Sequence, residues 1–169
     1  LVSEWQDTSG NSNHAQASGG NRPTYQTDEV NGKPVLRFDG TDDYLTSPYT
    51  GPGGVEFTFA VVTRAPSGGT YRSLLRLQSS GYVVYPWGNI AETDNFIISN
   101  DGGTGNGLED GFVLDEWNLG IAKYTANATN GMQTYRNGSL VAQRNSANIS
   151  LPSNQLCIGR YPSGAEYIE

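Results

Sequence analysis

The sequence has little cysteine, little positive charge and no long apolar segment. Its single cysteine, Cys157, excludes an internal disulfide, and the apolar neighbours in LCIGR favour a buried side chain over a nucleophile. Lys and Arg number 10 of the 169 residues against 17 Asp and Glu, which gives a net charge of −7. Because nucleic acids and anionic membranes require a basic face, we exclude both as partners. No run of about 18 apolar residues occurs, so we also predict no membrane insertion.

Helical periodicity is nearly absent, and short alternating segments take its place. In VEFTFAVVTR, alternation puts Phe57, Phe59 and Val61 on one face of a predicted strand. Asn137-Gly138, in MQTYRNGSLVAQR, predicts a type I′ turn between two strands, since both residue types tolerate positive φ. Further strands are predicted at residues 73–78, 82–85, 95–99, 117–124 and 155–160.

These patterns predict an all-β protein with a single domain that spans residues 1–169. Roughly ten short strands without a helix imply two packed antiparallel sheets, a β-sandwich or jelly roll. The 22 glycines and the charged content of 16% suit many short strands joined by tight turns. Trp5 and Trp117 lie within strand patterns, so we expect both in the core or between the sheets.

The order of several segments resembles the laminin-G-like jelly rolls of the concanavalin A-like lectin/glucanase superfamily. The segments that carry the resemblance are VSEWQDTSGNSNHA (2–15), NGKPVLRFDGTDDYL (31–45), FTFAVVTR (57–64), EWNLGIAKY (116–124), YRNGSLVA (135–142) and LCIGRYPSGAEYIE (156–169). They occur in the family's order and cover nearly the whole chain. The resemblance implies an antiparallel, concanavalin A-like β-sandwich.

The two ends of the sequence depart from this family pattern. Members usually carry one more strand before the first of these segments and another after the last. Here the sequence begins and ends inside the pattern, so we expect terminal strands that are missing or supplied by another segment. An uncovered sheet edge promotes association. We therefore expect a longer parent chain, self-association, or strand complementation by another chain.

The carboxylates do not match the catalytic pattern of the superfamily's glucanases, which is Glu-x-Asp-x-(x)-Glu on one strand. In AETDNFII, Glu92 and Asp94 fit the first two positions, but Phe96 or Ile97 occupies the third. Retaining glycosidases need two carboxyl groups about 5 Å apart, and the second is absent here. The only histidine, His14, lies in a Gly/Ser/Asn loop, which argues against a Ser-His-Asp triad. We predict no catalytic residues and no enzymatic activity.

The loop DTSGNSN presents oxygen-bearing side chains at every second position. These residues are Asp7, Ser9, Asn11 and Asn13. Calcium takes about six to eight oxygen ligands, and loops with this spacing can wrap one ion. One carboxylate is too few, and the family resemblance implies a second from Glu166 or Glu169. The alternative is an Asx-turn loop that satisfies its own backbone.

The segment FDGTDDYL crowds three carboxylates into one turn between two predicted strands. Asp39 and the glycine after it form a strong turn pair, and Asp42 can cap the turn through its side chain. Turn chemistry thus accounts for two acids and leaves Asp43 solvated or facing a cation shared with another loop. The family resemblance implies that Phe38 and Tyr44 pack inward. The predicted metal ligands are Asp7, Asn11, Asn13, Asp43 and Glu166.

The segment GYVVYPWGNIAETDN combines aromatic rings with planar hydrogen-bonding groups. A pyranose has an apolar face and a polar rim, so sugar sites require both. Trp87 lies between a proline and a glycine, unlike an alternating core residue, and an exposed loop tryptophan is a binding candidate. Alternatively, Trp87 caps the end of the sandwich or contacts a neighbouring subunit. The predicted carbohydrate-binding residues are Tyr85, Trp87, Asn89, Glu92, Asp94 and Asn95.

These observations together predict a non-catalytic carbohydrate-binding or adhesion module on an extracellular or virion surface. Glycan is the predicted partner, and calcium is the candidate cofactor. The alternative is a structural assembly subunit of a phage tail, a capsid decoration or a surface layer, which the missing terminal strands favour. A glycoside hydrolase would need a carboxylate pair that the sequence does not show.

Overall fold

The structure, a computed structural model, describes residues 1–49, 56–66, 74–77, 83–87, 95–99, 108, 113–146 and 155–160. Every regular element in these ranges is a β-strand, and no described residue is helical. Consequently, no helix in this part of the chain is long and apolar enough to cross a membrane. The prediction of an all-β chain is confirmed for the described residues.

The strands are numbered in chain order. They are β1 (Glu4–Trp5), β2 (Ala15–Gln16), β3 (Thr24–Val30), β4 (Lys33–Arg37), β5 (Leu45–Ser47), β6 (Glu56–Thr63), β7 (Leu75–Leu77), β8 (Val83–Trp87), β9 (Asn95–Ser99), β10 (Asn118–Thr125), β11 (Met132–Arg136), β12 (Ser139–Arg144) and β13 (Leu156–Ile158). One sheet has the order β1-β2-β5-β13-β7-β8-β9, a second has the order β12-β11-β10-β6, and β3 pairs with β4. All neighbouring strands are antiparallel.

The sheet β12-β11-β10-β6 follows the alternation of its sequence closely. Along β6, Phe57, Phe59 and Val61 are half-buried, and the residues between them are exposed. This confirms the face predicted from VEFTFAVVTR. The inner side of the sheet holds a core cluster around Tyr124 of β10, whose ring lies 5.3 Å from that of Phe57. Apolar side chains on one side of each strand thus stabilise this sheet by burial.

Two Asn-Gly pairs form the tight turns of two hairpins. Asn137 and Gly138 have φ values of 49° and 87° and join β11 to β12 directly, which confirms the predicted turn. Asn31 and Gly32 have φ values of 51° and 70° and join β3 to β4 in the same way. The side-chain Oδ1 of Asn137 also accepts a hydrogen bond of 2.9 Å from the backbone N–H of Leu119. This bond links the turn to β10.

A second core cluster lies under the middle of the longer sheet. It contains Ala15, Phe38, Leu45 and Leu74, and Val61 of β6 packs against it. Because Val61 also packs against the first cluster, it connects the two apolar groups.

Cys157 of β13 is fully buried, as its apolar neighbours predict. Gly159, two residues later, has a φ of 89°. A Cβ atom placed there would lie 2.5 Å from Cε1 of Phe38, so a larger residue would disturb the packing of this ring.

Two predictions about aromatic side chains are wrong. Trp5 is 52% exposed, because β1 is only two residues long and lies at the edge of its sheet. Tyr44 is only half-buried, because Asp43 and Leu45 on either side of it take the buried positions. The ring of Tyr44 instead lies under the guanidinium of Arg160, at 3.6 Å from its Cζ atom to the ring centroid.

Candidate functional site

The acidic turn between β4 and β5 is organised around the carboxylate of Asp39. Its Oδ1 accepts hydrogen bonds from the backbone N–H groups of Thr41 at 2.9 Å, Asp42 at 3.1 Å and Asp43 at 3.3 Å. The N–H of Asp39 in turn donates to Oδ2 of Asp43 at 3.0 Å. The cap of this turn is therefore Asp39, not Asp42 as predicted.

The two hydrogen-bonded carboxyls of the turn have opposite pKa shifts. The hydrogen bond from Thr41, assisted by those from the next two N–H groups, lowers the pKa of Asp39. Burial raises the pKa of Asp43, and the negative charge of Asp39 raises it further. Asp43 is only 5% exposed, so the first of the two alternatives, a solvated carboxylate, is wrong, and the second, a carboxylate that faces a cation, stays a prediction. It is buried because it alternates with Leu45 and Ser47, both of which face the interior.

Asp42 is exposed, as Asp39 is, and its Oδ2 lies beside Gly20. Oxygen atoms of Asp39, Asp42 and Asp43 all lie within 4.8 Å of one another. Hard cations such as calcium are bound by carboxylates grouped in this way. Among the described residues, this is the group of three acids that could hold a metal ion, and it includes the predicted ligand Asp43.

The other predicted metal loop is held together by its own hydrogen bonds. The carboxylate of Asp7 accepts bonds from the N–H and the hydroxyl of Ser9, both at 2.8 Å, and from the N–H of Asn13 at 2.9 Å. The backbone bond from Ser9 is the main cause that lowers the pKa of Asp7. Nδ2 of Asn11 donates to Oγ of Ser9 at 3.1 Å. These contacts match the Asx-turn alternative, and Glu166 lies outside the described residues.

Nδ1 of His14 accepts a hydrogen bond of 3.0 Å from the backbone N–H of Asp7. The only histidine therefore closes the loop at its far end. The carbonyl of Asn13 accepts a bond of 2.7 Å from the hydroxyl of Ser47, which ties the loop to β5. Both contacts hold the loop by hydrogen bonds within the chain.

The side chains of all six predicted sugar-binding residues lie outside the part of the chain that the structure describes. The backbone of Tyr85 and Trp87 lies in β8, and Asn95 begins β9. Trp87 pairs with Asn95 in the register of these two strands, so both belong to one antiparallel hairpin. Asn89, Glu92 and Asp94 lie outside the described residues. The grouping of these six residues as a sugar site stays a prediction.

A cleft with a volume of about 1290 Å³ is lined by two exposed aromatic side chains, Trp5 and Tyr25. Trp5 is 52% and Tyr25 55% exposed. A hydrogen bond of 2.8 Å from the N–H of Val2 to the carbonyl of Pro23 ties the segment before Trp5 to the segment before Tyr25. Polar side chains from the same two stretches line the cleft as well: Glu4, Gln6, Asp7 and Gln26.

Sequence reasoning missed this cleft because it assigned Trp5 to the core and Tyr25 to no role. The signal available was weak: both residues occur in polar surroundings, QDTSGNSN after Trp5 and QTDE after Tyr25. That both line one cleft depends on how separate segments pack, which a local pattern does not report. No known protein-family model, no curated protein and no solved structure matches this chain.

Proposed function

We propose that this chain is a non-catalytic carbohydrate-binding module, built as a laminin-G-like jelly-roll sandwich and displayed on an extracellular or virion surface. The observation that carries the proposal is the pair of half-exposed aromatic side chains, Trp5 and Tyr25, that line one cleft together with amide and carboxylate groups. The antiparallel sheets and the residue Val61, which contacts both core clusters, support the sandwich.

The chemistry of this cleft suits a sugar. An exposed aromatic ring offers a flat apolar surface, which stacks against the C–H face of a pyranose. Gln and Glu side chains supply the donors and acceptors that hydroxyl groups require, and few precisely placed polar groups give a pocket its specificity. The cleft has a volume of about 1290 Å³, which is large enough for a sugar.

Calcium is the cofactor we propose, and the turn of Asp39, Asp42 and Asp43 is its candidate site. The three carboxylates would supply oxygen ligands on one side of the ion. Burial, and after it the charge of Asp39, raises the pKa of Asp43, and a bound divalent cation would offset that rise. Its role would be to hold the turn between β4 and β5.

A glycan array probed with the purified protein, in calcium and again in chelator, tests this function. We expect saturable binding to a defined sugar that is lost in Trp5→Ala and retained in part by Trp5→Phe, because phenylalanine keeps a stacking surface. Leu140→Ala is the matched control, since Leu140 is 47% exposed but does not line the cleft. Loss of binding in Trp87→Ala with full retention in Trp5→Ala would instead move the site to β8 and β9.

A structural assembly subunit is the second candidate, favoured by the outer face of the sheet β12-β11-β10-β6. Val62 and Leu119, paired across β6 and β10, are 54% and 38% exposed, and Leu140 is 47% exposed. Exposed apolar groups of this kind mark interaction surfaces. Light scattering of the purified chain separates the candidates, since an assembly subunit forms oligomers and a binding module stays monomeric.

A further inference from the structure

Three of the four Asn-Gly pairs in the sequence lie in the part of the chain that the structure describes. They are Asn31-Gly32, Asn130-Gly131 and Asn137-Gly138, and all three asparagines have a positive φ. Such a pair is chemically reactive, because glycine has no Cβ atom to keep its backbone nitrogen away from the side-chain amide of the asparagine before it. The three pairs share this chemistry but differ in what holds the two reacting groups.

At Asn130-Gly131 the fold holds the attacking nitrogen. The backbone N–H of Gly131 donates a hydrogen bond of 3.1 Å to the carbonyl of Ala128. Gly131 is buried, and a Cβ atom added there would collide with Oγ of Ser146 and the carbonyl oxygen of Thr125. The nitrogen therefore cannot reach the side chain of Asn130 unless its hydrogen bond breaks and the surrounding atoms move.

At Asn137-Gly138 the fold holds the side-chain amide instead. Oδ1 of Asn137 accepts a hydrogen bond of 2.9 Å from the backbone N–H of Leu119. The backbone N–H of Asn137 donates another of 2.9 Å to the carbonyl of Leu119. Since Leu119 belongs to β10, an interior strand of its sheet, the side chain of Asn137 is fixed against a supported strand. The amide must lose its bond to Leu119 before it can turn towards the nitrogen of Gly138.

At Asn31-Gly32 neither reacting group is held. The described residues give no hydrogen-bond partner to the side chain of Asn31 or to the backbone N–H of Gly32. Both residues are exposed, and a Cβ atom added at Gly32 would have no other atom within 4 Å. The turn therefore has room for the five-membered ring that attack on the side chain would close.

The hairpin that carries Asn31-Gly32 is also weakly supported. Its strands β3 and β4 pair only with each other among the described residues, and their register shifts between Gln26 and Val30. A two-stranded hairpin alone is marginally stable in water, and exposed segments with few contacts open locally at low cost. Local opening lets the turn reach the geometry that the reaction requires.

We propose that Asn31 deamidates spontaneously in the folded protein, while the fold protects Asn130 and Asn137. The backbone nitrogen of Gly32 loses its proton and attacks Cγ of Asn31, and the side-chain nitrogen takes up a proton and leaves as ammonia. Water then opens the resulting succinimide ring at either carbonyl, which gives aspartate or isoaspartate. The net reaction consumes one water molecule and releases one molecule of ammonia.

This modification would alter both the cleft and the hairpin. Asn31 and Lys33 line the cleft, so deamidation places a new negative charge in its wall. Isoaspartate also extends the main chain by one carbon atom, in a two-residue turn whose length sets the register of the hairpin. The proposal does not rest on glycan binding, because the reaction is measured without a ligand.

Incubation of the whole chain at neutral pH, followed by trypsin digestion and mass spectrometry, measures the three pairs side by side. Because trypsin cleaves after Lys and Arg but not before Pro, the pairs fall in separate peptides, residues 1–37, 124–136 and 137–144. We expect conversion of amide to acid at Asn31 to be about tenfold faster or more, since a hydrogen bond must break first at the other two pairs. Equal rates at the three pairs, or faster conversion at Asn130 or Asn137, would overturn the proposal.

The same chain unfolded in guanidinium chloride is the control for local sequence. The three pairs then differ only in their neighbouring residues, so we expect their rates to converge. A spread of rates as wide in the unfolded chain as in the folded protein would show that local sequence sets the rates, and it would contradict protection by the fold.

The substitution Gly32→Ala tests which atom attacks. A methyl group at residue 32 hinders the approach of its nitrogen to Cγ of Asn31, so conversion should slow by about tenfold or more. Gly138→Ala is the matched control, because Gly138 also has a positive φ and open space around an added Cβ atom. In this control, conversion at Asn31 should be unchanged. Undiminished conversion in Gly32→Ala would rule out the succinimide route and with it the proposal.

Discussion

The substitution Gly159→Ala tests whether the packing of Phe38 against Gly159 stabilises the acidic turn. Gly159 has a φ of 89°, in the left-handed region that costs an L-residue about 1–2 kcal/mol. A Cβ atom at this position would lie 2.5 Å from Cε1 and 2.6 Å from Cδ1 of Phe38, and 3.3 Å from the carbonyl oxygen of Asp43. Phe38 is 7% exposed and directly precedes Asp39. The clash therefore falls on the residue that anchors the turn.

The expected loss of stability has two parts, the cost of the left-handed backbone and the cost of the clash with Phe38. A substitution at a second glycine, Gly138, measures the backbone cost alone. Overpacking a buried side chain costs about 1–3 kcal/mol, so Gly159→Ala should lower the free energy of unfolding by about 2–5 kcal/mol in all. Gly138 has a φ of 87° but no atom within 4 Å of its added Cβ. Gly138→Ala therefore carries only the backbone part, about 1–2 kcal/mol.

Urea denaturation measures both variants against the unmodified protein. With an m-value of about 2 kcal/mol/M, the midpoint should fall by about 1–2.5 M for Gly159→Ala and by less than about 1 M for Gly138→Ala. Equal losses in the two variants would show that the ring of Phe38 does not pack against Gly159, and the account of the turn would then be wrong.

Two further predictions concern the carboxyl groups of the acidic turn and the buried hydroxyl of Thr134. Asp39 has a lowered pKa, so its ionised form stabilises the fold above the unfolded value of about 3.9, and that stability is lost as the pH falls below it. Asp43 has a raised pKa, so the fold loses stability as the pH rises from about 3.9 through the folded value. We therefore expect Asp39→Asn to lower the free energy of unfolding more at pH 7 than at pH 3. Asp43→Asn should show the reverse, with a free energy of unfolding that compares better with the unmodified protein at pH 7 than at pH 3. Urea melts at both pH values measure this, and the same pH dependence in both variants would contradict the opposite pKa shifts. Thr134 is fully buried, and its hydroxyl has no hydrogen-bond partner among the residues that the structure describes. Thr134→Val should therefore raise the free energy of unfolding by about 1 kcal/mol in a thermal or urea melt, whereas a comparable loss would reveal a partner for the hydroxyl.

Local patterns predicted the elements whose structure depends on neighbours in sequence. The alternation of Phe57, Phe59 and Val61 defined a strand and its inner face because adjacent residues of a strand point to opposite sides. Asn137 and Gly138 defined a hairpin because both adopt positive φ at little cost. Of the first five strands, β2 and β3 were not predicted, since β2 has only two residues and the sequence TYQTDEV of β3 shows little apolar alternation.

Burial that depends on distant segments was not predictable in the same way. Trp5 is of a residue type that is usually buried, yet its strand lies at a sheet edge and leaves its side chain exposed. Asp43 is of a residue type that is usually exposed, yet it is buried because it alternates with the buried residues Leu45 and Ser47 of β5. The cleft is lined by residues of segments far apart in sequence, among them Trp5 and Tyr25, and the hydrogen bond between Val2 and Pro23 links two of these segments. Each outcome is decided by which segments pair, which composition does not encode.

The affinity of the array-identified sugar for Trp5→Ala tests the central claim most directly. Titration calorimetry would compare the unmodified protein, Trp5→Ala and Trp5→Phe at one calcium concentration, with Leu140→Ala as the control. We predict that Trp5→Ala weakens binding about tenfold or more, that Trp5→Phe weakens it less, and that Leu140→Ala binds as the unmodified protein does. Unchanged affinity in Trp5→Ala, or an array with no saturable ligand in either buffer, would contradict a carbohydrate site in this cleft.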